Sequence, residues 1–176
     1  MLSQEIKGII KRMITNTGER ISDLSVQQPV MLIFLRHFGC TFCREALAEL
    51  SLKRKSIEEK GSKLVFIHMA DFETAERYFN RYNLDNVTHI SDPSCQFYAS
   101  FGLVKGNFRQ LLGLSSWMRG FSAGIMEGHG IGKQIGDGFQ MPGVFIIQNN
   151  KIRERYIHKL SSDKPNYVQL ADCCVI

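Results

Sequence analysis

The stretch Val30-Met31-Leu32-Ile33-Phe34-Leu35-Arg36-His37-Phe38-Gly39-Cys40-Thr41-Phe42-Cys43-Arg44-Glu45-Ala46-Leu47 decides the fold. It begins as an unbroken apolar run of strand length, rich in residue types that suit a pleated surface. A run without polar alternation predicts a central parallel strand covered on both faces. After Gly39 the pattern changes: Ala46, Leu47 and Leu50 fall at helical spacing among good helix formers. Cys40 and Cys43 lie where the strand hands over to the helix.

That position gives them a chemistry. In a helical first turn, residues three apart share a face at about 5–6 Å. A disulfide needs Cα atoms about 4.4–6.8 Å apart, so the pair can close. The free N–H groups and positive dipole end of a helix start favour an anion. A thiolate is such an anion, and its pKa is expected to fall below the free value of about 8.5. Arg36, His37 and Arg44 can add positive charge. The competing readings make Cys40 and Cys43 small apolar residues, or half of a zinc site.

Working outward, the N-terminal segment carries Ile6, Ile9, Ile10, Met13 and Ile14 at the spacing of one helical face. This predicts an amphipathic helix from Gln4 to about Gly18, packed on the domain or on a second copy of the chain. Ser22 to Gln28 reads as a polar connector, and Pro29 punctuates the entry to the first strand. Residues 1–28 are thus expected as a helix and connector, ahead of one domain over 29–176. Beyond the cysteine helix, Gly61 is a stop signal and Lys63 to Met69 is the next buried strand. Phe72 to Tyr82 reads as a helix and Val87 to Ile90 as a short strand. Asp92 and Ser94 can cap a further helix, with Pro93 in its first turn. Cys95 in that helix reads as a buried spectator, with a resolving thiol as the alternative. Strand–helix–strand–helix alternation implies a parallel sheet with right-handed crossovers. His68 and His89 are read as strand residues.

Asn107 to about Met118 is a candidate helix for substrate or partner contact. Residues 119–143 hold eight glycines and read as a long loop flanking the active site, with His129 as its candidate participant. Gly128-His129-Gly130-Ile131-Gly132-Lys133 lacks both the ending and the preceding strand of a phosphate loop. Met141-Pro142 then leads into the apolar run Val144 to Ile147. Asn149-Asn150 predicts a tight hairpin turn, Lys151 to His158 an antiparallel return strand, and Asp163 to Cys173 a closing helix.

With 176 residues and 44% hydrophobic content, a single globular domain is expected. Five irregularly spaced cysteines suit a reducing compartment, not a secreted disulfide framework. Residues 1–17 are charged through Glu5, Lys7, Lys11 and Arg12, unlike a signal peptide, and no apolar run nears the roughly 20 residues of a membrane span. A cytoplasmic protein without membrane contact is expected. The net charge of +5 is dispersed among acids, as in Lys53-Arg54-Lys55 before Glu58-Glu59, which reads as a solvated face and not a nucleic-acid surface. Cys173-Cys174-Val175-Ile176 has the outline of a prenylation box, although Ile176 is outside the usual final-residue set.

The segment Arg36 to Glu45 resembles the active site of peroxiredoxin-like proteins in the alkyl hydroperoxide reductase/thiol-specific antioxidant group of the thioredoxin superfamily. Ser91-Asp92-Pro93 through Phe101-Gly102-Leu103, and Pro142 through Ile147, carry the resemblance across most of residues 29–163. It implies an α/β, thioredoxin-like three-layer sandwich with a mixed central sheet flanked by helices. It also implies a cis Pro142 opposite the cysteine pair, helping to hold substrate beside the backbone of Met141. Thr41, Phe42, Arg36 and Arg44 are the supporting residues of the site. No cofactor is implied. The implied partners are a disulfide or peroxide substrate and an external thiol reductant such as thioredoxin or glutathione.

Three functions stay open on the sequence. The favoured one is dithiol–disulfide exchange, with Cys40 attacking and Cys43 resolving. The second is peroxide reduction with Cys43 as the attacking residue, as the family's Thr-x-x-Cys pattern implies. Against it, a typical peroxiredoxin carries threonine where Cys40 stands and arginine where Pro142 stands. The third is a thioredoxin-fold binding protein with incidental cysteines.

Overall fold

The computed structural model describes residues 2–107 and 135–173. The expected helix over 107–118, His129, most of the glycine-rich segment and the C-terminal residues 174–176 lie outside the described residues. Five strands form one sheet in the order β3-β2-β1-β4-β5. These are β1 (Val30–Phe34), β2 (Lys63–His68), β3 (Thr88–Ser91), β4 (Gly143–Gln148) and β5 (Lys151–Ile157). The first three run parallel, whereas β4 is antiparallel to β1 and β5 antiparallel to β4. Strand β1, buried along its whole length, is the central strand its apolar run predicts.

Period-two alternation divides the sheet's side chains between two cores. Met31, Ile33, Phe66, Val144 and Ile146 face α3 (Thr41–Glu59), α4 (Phe72–Arg81) and α6 (Tyr167–Asp172). Val30, Leu32, Phe34, Val65, Ile67 and Phe145 face α1 (Leu2–Arg12), α2 (Ile21–Gln27) and α5 (Gln96–Ser100). Helices on both faces of a mixed sheet make the three-layer sandwich.

Several elements differ from the expected boundaries. Ser22 to Gln28 is not a connector: Ile21 and Leu24, three apart, bury against the sheet and turn the segment into α2. Helix α1 ends at Arg12, and residues 14–20 instead close an isolated bridge between Ile14 and Arg20 around a left-handed Gly18. The closing helix starts only at Tyr167, because Pro165 disfavours helical backbone before it; Asn166 then caps α6 by accepting from Gln169 N–H at 3.2 Å. Asp92 does cap the α5 turn, its buried carboxylate accepting from Gln96 at 3.0 Å and Phe97 at 2.7 Å. Asn149 and Asn150 both adopt left-handed φ, 51° and 60°, as a two-residue type I′ turn requires.

The β4–β5 ladder contains one irregularity. Ile147 pairs with Ile152 but Ile146 pairs with Glu154, so Arg153 is an extra residue on β5. From there to the end of the hairpin every partner is shifted by one. Gly143 consequently faces Ile157, and His158 is the residue beside Pro142, its N–H donating to the Pro142 carbonyl at 3.4 Å.

Candidate active site

The chain leaves β1 at Phe34, turns through residues 35–39 and enters α3 with Cys40 as its N-cap. Two buried contacts fix this turn. Cys40 N–H donates to the His37 carbonyl at 2.9 Å, and Arg44 Nε donates to the Phe38 carbonyl at 3.0 Å. Phe38 stacks on Tyr78 of α4 with ring centroids 4.7 Å apart, and the Arg44 guanidinium lies over the same tyrosine at 5.7 Å. Arg44 therefore braces the turn and is itself buried.

Cys40 and Cys43 are both free thiols, and both are buried. Their settings differ. Arg36 Nη1 donates to Cys40 Sγ at 3.0 Å, while its Nη2 donates to the Gly138 carbonyl. One guanidinium thus joins the first cysteine to the end of the glycine-rich segment. Cys43 Sγ instead donates to the Arg36 carbonyl at 3.9 Å. Burial pushes the Cys43 thiol well above its ordinary range, and the neighbouring Cys40 adds to this. The charges of Arg36 and Arg44 pull the other way without overcoming it. A lowered pKa, expected for the pair from the helix start, is not what Cys43 experiences. His37 adds no charge either: burial first, and then Arg36, lower its pKa to about 4, so it is neutral near pH 7.

A small cleft of about 30 Å³ opens beside this helix start. Arg36, Phe42, Cys43, Pro142, His158 and Tyr167 are among its lining residues. Its volume suits a water-sized molecule. Thr41, the first residue of α3, is buried. Deeper in, the buried Glu45 carboxylate is paired with Lys164.

Pro142 is brought to the cleft as the family resemblance implies, but its peptide bond is trans, not cis. The backbone before it is held extended. Gln140 bridges Lys105, its side-chain amide donates to the Leu103 carbonyl at 2.9 Å, and Met141 N–H donates to the Val104 carbonyl at 3.4 Å. Pro142 precedes β4 by one residue, so its missing N–H removes no ladder bond. Met141 is buried, with both its N–H and carbonyl engaged inside the chain. Gly143 follows in a tight space: a Cβ there would stand 2.7 Å from Leu103 Cδ2 and 3.3 Å from the Tyr156 carbonyl, so a larger residue would have to displace the buried Leu103 side chain.

The structure does not bring Cys95 to the cysteine pair's cleft. It is the N-cap of α5, half-buried against the opposite core, with left-handed φ of 56°. Cys173 is exposed beyond α6. His68 and His89 are core residues of β2 and β3, hydrogen-bonded to each other at 2.8 Å. The residue that sequence reasoning missed is His158. The hairpin signal at Asn149-Asn150 carries a pairing register, but an unbulged hairpin would set Ile157, not His158, beside Pro142.

The alkyl hydroperoxide reductase/thiol-specific antioxidant (AhpC/TSA) family model matches residues 12–155, and the chain belongs to that family. It is a peroxiredoxin-like protein of the thioredoxin superfamily. It is similar to a zebrafish (Danio rerio) prostamide/prostaglandin F synthase, at 30% identity over 86% of this chain and 77% of the relative. It is also similar to a chloroplastic thioredoxin-like protein of Arabidopsis thaliana, at 26% identity over 88% of this chain. That match spans 65% of the plant protein's length. Among solved structures, a peroxidoxin of Mycobacterium tuberculosis shares the fold with a TM-score of 0.62 at 17% identity, covering 93% of this chain and 89% of the other.

Proposed function

We propose that the protein is a thiol–disulfide oxidoreductase in which Cys40 attacks and Cys43 resolves. The observation that carries this reading is the asymmetry between the two sulfurs. Cys40 accepts a hydrogen bond from a guanidinium, the contact that steadies a thiolate, while burial keeps Cys43 a thiol until it is needed. In the first half-reaction the Cys40 thiolate displaces RS⁻ from a disulfide RSSR and becomes a mixed disulfide. Cys43 then loses its proton and attacks Cys40 Sγ, closing the Cys40–Cys43 bond and releasing the second RS⁻. The three-residue spacing at the start of α3 gives the bond its reach. An external dithiol or glutathione-type thiol returns the pair to the reduced state, and a reducing compartment such as the cytoplasm suits this cycle.

A second reading has one specific observation in its favour. Cys43, and not Cys40, lines the water-sized cleft with Arg36. Hydrogen peroxide fits such a space, and there Cys43 would take up the terminal oxygen as a sulfenic acid, with Cys40 resolving it. The name of the zebrafish relative adds lipid-derived substrates to the same chemistry.

Reacting the reduced protein separately with hydrogen peroxide and with a small disulfide tests both readings, with mass spectrometry locating the product. Rapid mixed-disulfide formation on Cys40 in a Cys43→Ser protein, and slow peroxide consumption, is the expected result. Fast peroxide reaction leaving sulfenic acid on Cys43 overturns it in favour of the second reading. A Cys40→Ser protein that matches wild type in both reactions removes both.

A further inference from the structure

We propose that His158 is a hydrogen-bond donor for Cys43, holding the thiolate that forms when this buried cysteine closes the disulfide. The inference rests on the dithiol reaction above, in which Cys43 must ionise. His158 lines the same cleft as Cys43, and its Nδ1 is buried with no hydrogen-bond partner among the described residues. A buried nitrogen left unpaired is destabilising, a cost that a partner formed only during the reaction removes. The ring is held edge-on to Tyr156, with centroids 5.2 Å apart, and its backbone is tied to Pro142 at 3.4 Å. The extra residue Arg153 sets the register that puts it there.

The groups around the ring single it out. From α3 come Cys43 and the Glu45 and Glu49 carboxylates; Lys164 compensates Glu45. From the end of β1 comes Arg36, already shared between Cys40 and Gly138. Asp163, in the segment after β5, accepts from the N–H groups of Lys159 at 2.7 Å and Leu160 at 3.0 Å. Tyr156 packs on the ring from β5, and the buried Tyr167 comes from α6. Among the charged and titratable groups lining this cleft, His158 is the one with a buried nitrogen that is unpaired and uncharged near neutral pH.

Donor and acceptor roles are separated by magnitude. Burial lowers the His158 pKa to about 4, against the opposing pull of Asp163 and of the backbone at Pro142 and Asp163. Cys43 moves the opposite way. So weak a base removes little of the proton from so weak an acid, whereas a neutral imidazole still donates one N–H. In the resolving step Cys43 gives its proton to solvent or to the RS⁻ released first. The thiolate accepts the Nδ1–H bond directly or through a cleft water and attacks Cys40 Sγ. The Cys40–SR bond breaks as the Cys40–Cys43 bond forms. Two thiols are oxidised to one disulfide and RSSR is reduced to two RSH.

The test uses the full chain with Cys95, Cys173 and Cys174 changed to serine, mixed in reduced form with 5,5′-dithiobis(2-nitrobenzoic acid). Coloured thiolate is released once on attack by Cys40 and again on resolution by Cys43. In His158→Phe, which keeps the aromatic packing and loses the donor, the second release is expected to slow about 10-fold near pH 7, one pKa unit of thiolate stabilisation. The first release stays unchanged, and the deficit holds across about pH 6–9, where burial keeps Cys43 mostly protonated in both proteins. His158→Gln, which retains an N–H, recovers part of the rate. An unchanged second release in His158→Phe overturns the proposal, and so does a His158→Gln protein as slow as His158→Phe, the mark of altered packing and not of a lost donor. If Cys40→Ser still shows the first release at the wild-type rate, the dithiol reaction itself fails and His158 loses this role with it.

Discussion

The two faces of the sheet divide the protein's tasks. On the α1/α2/α5 side, Phe34 meets Tyr98, Phe101 and Phe145 with ring centroids 5.0–5.7 Å apart. The buried Tyr98 hydroxyl on this side lies at 2.6 Å from the Leu35 carbonyl and 3.0 Å from the Ile67 carbonyl. On the α3/α4/α6 side the core admits Cys40, Cys43, Arg44, Glu45, His68 and His89. Among the described residues, the buried nitrogens without a hydrogen-bond partner include His68 Nδ1, His89 Nε2 and His158 Nδ1, all on this side. An aromatic core with its polar atom satisfied maximises stability. A core that tolerates unpaired polar atoms gives up stability and keeps groups available for chemistry. The difference teaches that stability and reactivity can be altered separately here.

The largest expected effect tests that separation from the reactive side. Cys40→Ser should reduce disulfide exchange to the background rate while leaving the unfolding midpoint in urea unchanged; a large shift in the midpoint would tie the two faces together. Phe34→Ala is the converse. Truncating a buried phenylalanine costs about 3–5 kcal/mol, read as a lower urea midpoint, with the Cys40 reaction rate of the folded protein unaltered.

Acid should weaken the reactive face selectively. Burial, with His89 beside it, holds His68 at a pKa of about 3, below the ordinary histidine range, and His89 is lowered too, mainly by burial. The unfolded chain therefore binds protons that the folded one refuses. Stability is full above about pH 6.5 and falls as pH drops from there towards 3, by up to about 1.4 kcal/mol per pH unit per histidine. Urea unfolding between pH 7 and 4 measures this slope, which should flatten when both histidines are replaced by leucine.

Arg36→Lys sharpens the comparison within the site. An ammonium cannot serve Cys40 and Gly138 in the forked geometry of a guanidinium. About a 10-fold fall in the rate of Cys40 alkylation is expected, equivalent to one charge-assisted hydrogen bond. At the small end, Leu52 on α3 is 85% exposed, and Leu52→Gln should leave both stability and rate within about 0.5 kcal/mol of wild type.

Much of this was legible in the residues. The apolar run of β1, the change of period at Gly39 and the Asn149-Asn150 turn each encode their structure locally, because strand burial, helix periodicity and left-handed turns are properties of short segments. The cysteine pair was legible for the same reason. Helix α2 was not, since Ile21 and Leu24 make a helix only once a sheet exists to bury them. Local sequence likewise suggested charge on His37 and a lowered pKa at the cysteine pair. The tertiary structure buried both: at Cys43 desolvation outweighed the nearby arginines, and at His37 Arg36 added to it.

By itself, then, the sequence determined the family, the sheet's strands and the position of the dithiol at a helix start. Only the tertiary structure decided which thiol meets Arg36, which one faces the cleft, and which histidine stands beside them. The place of His158 depends on the extra residue at Arg153, and the settings of the two thiols on burial. Burial is set by contacts between segments far apart in the chain and the extra residue by how β5 pairs with β4, and no apolar or turn pattern contains either.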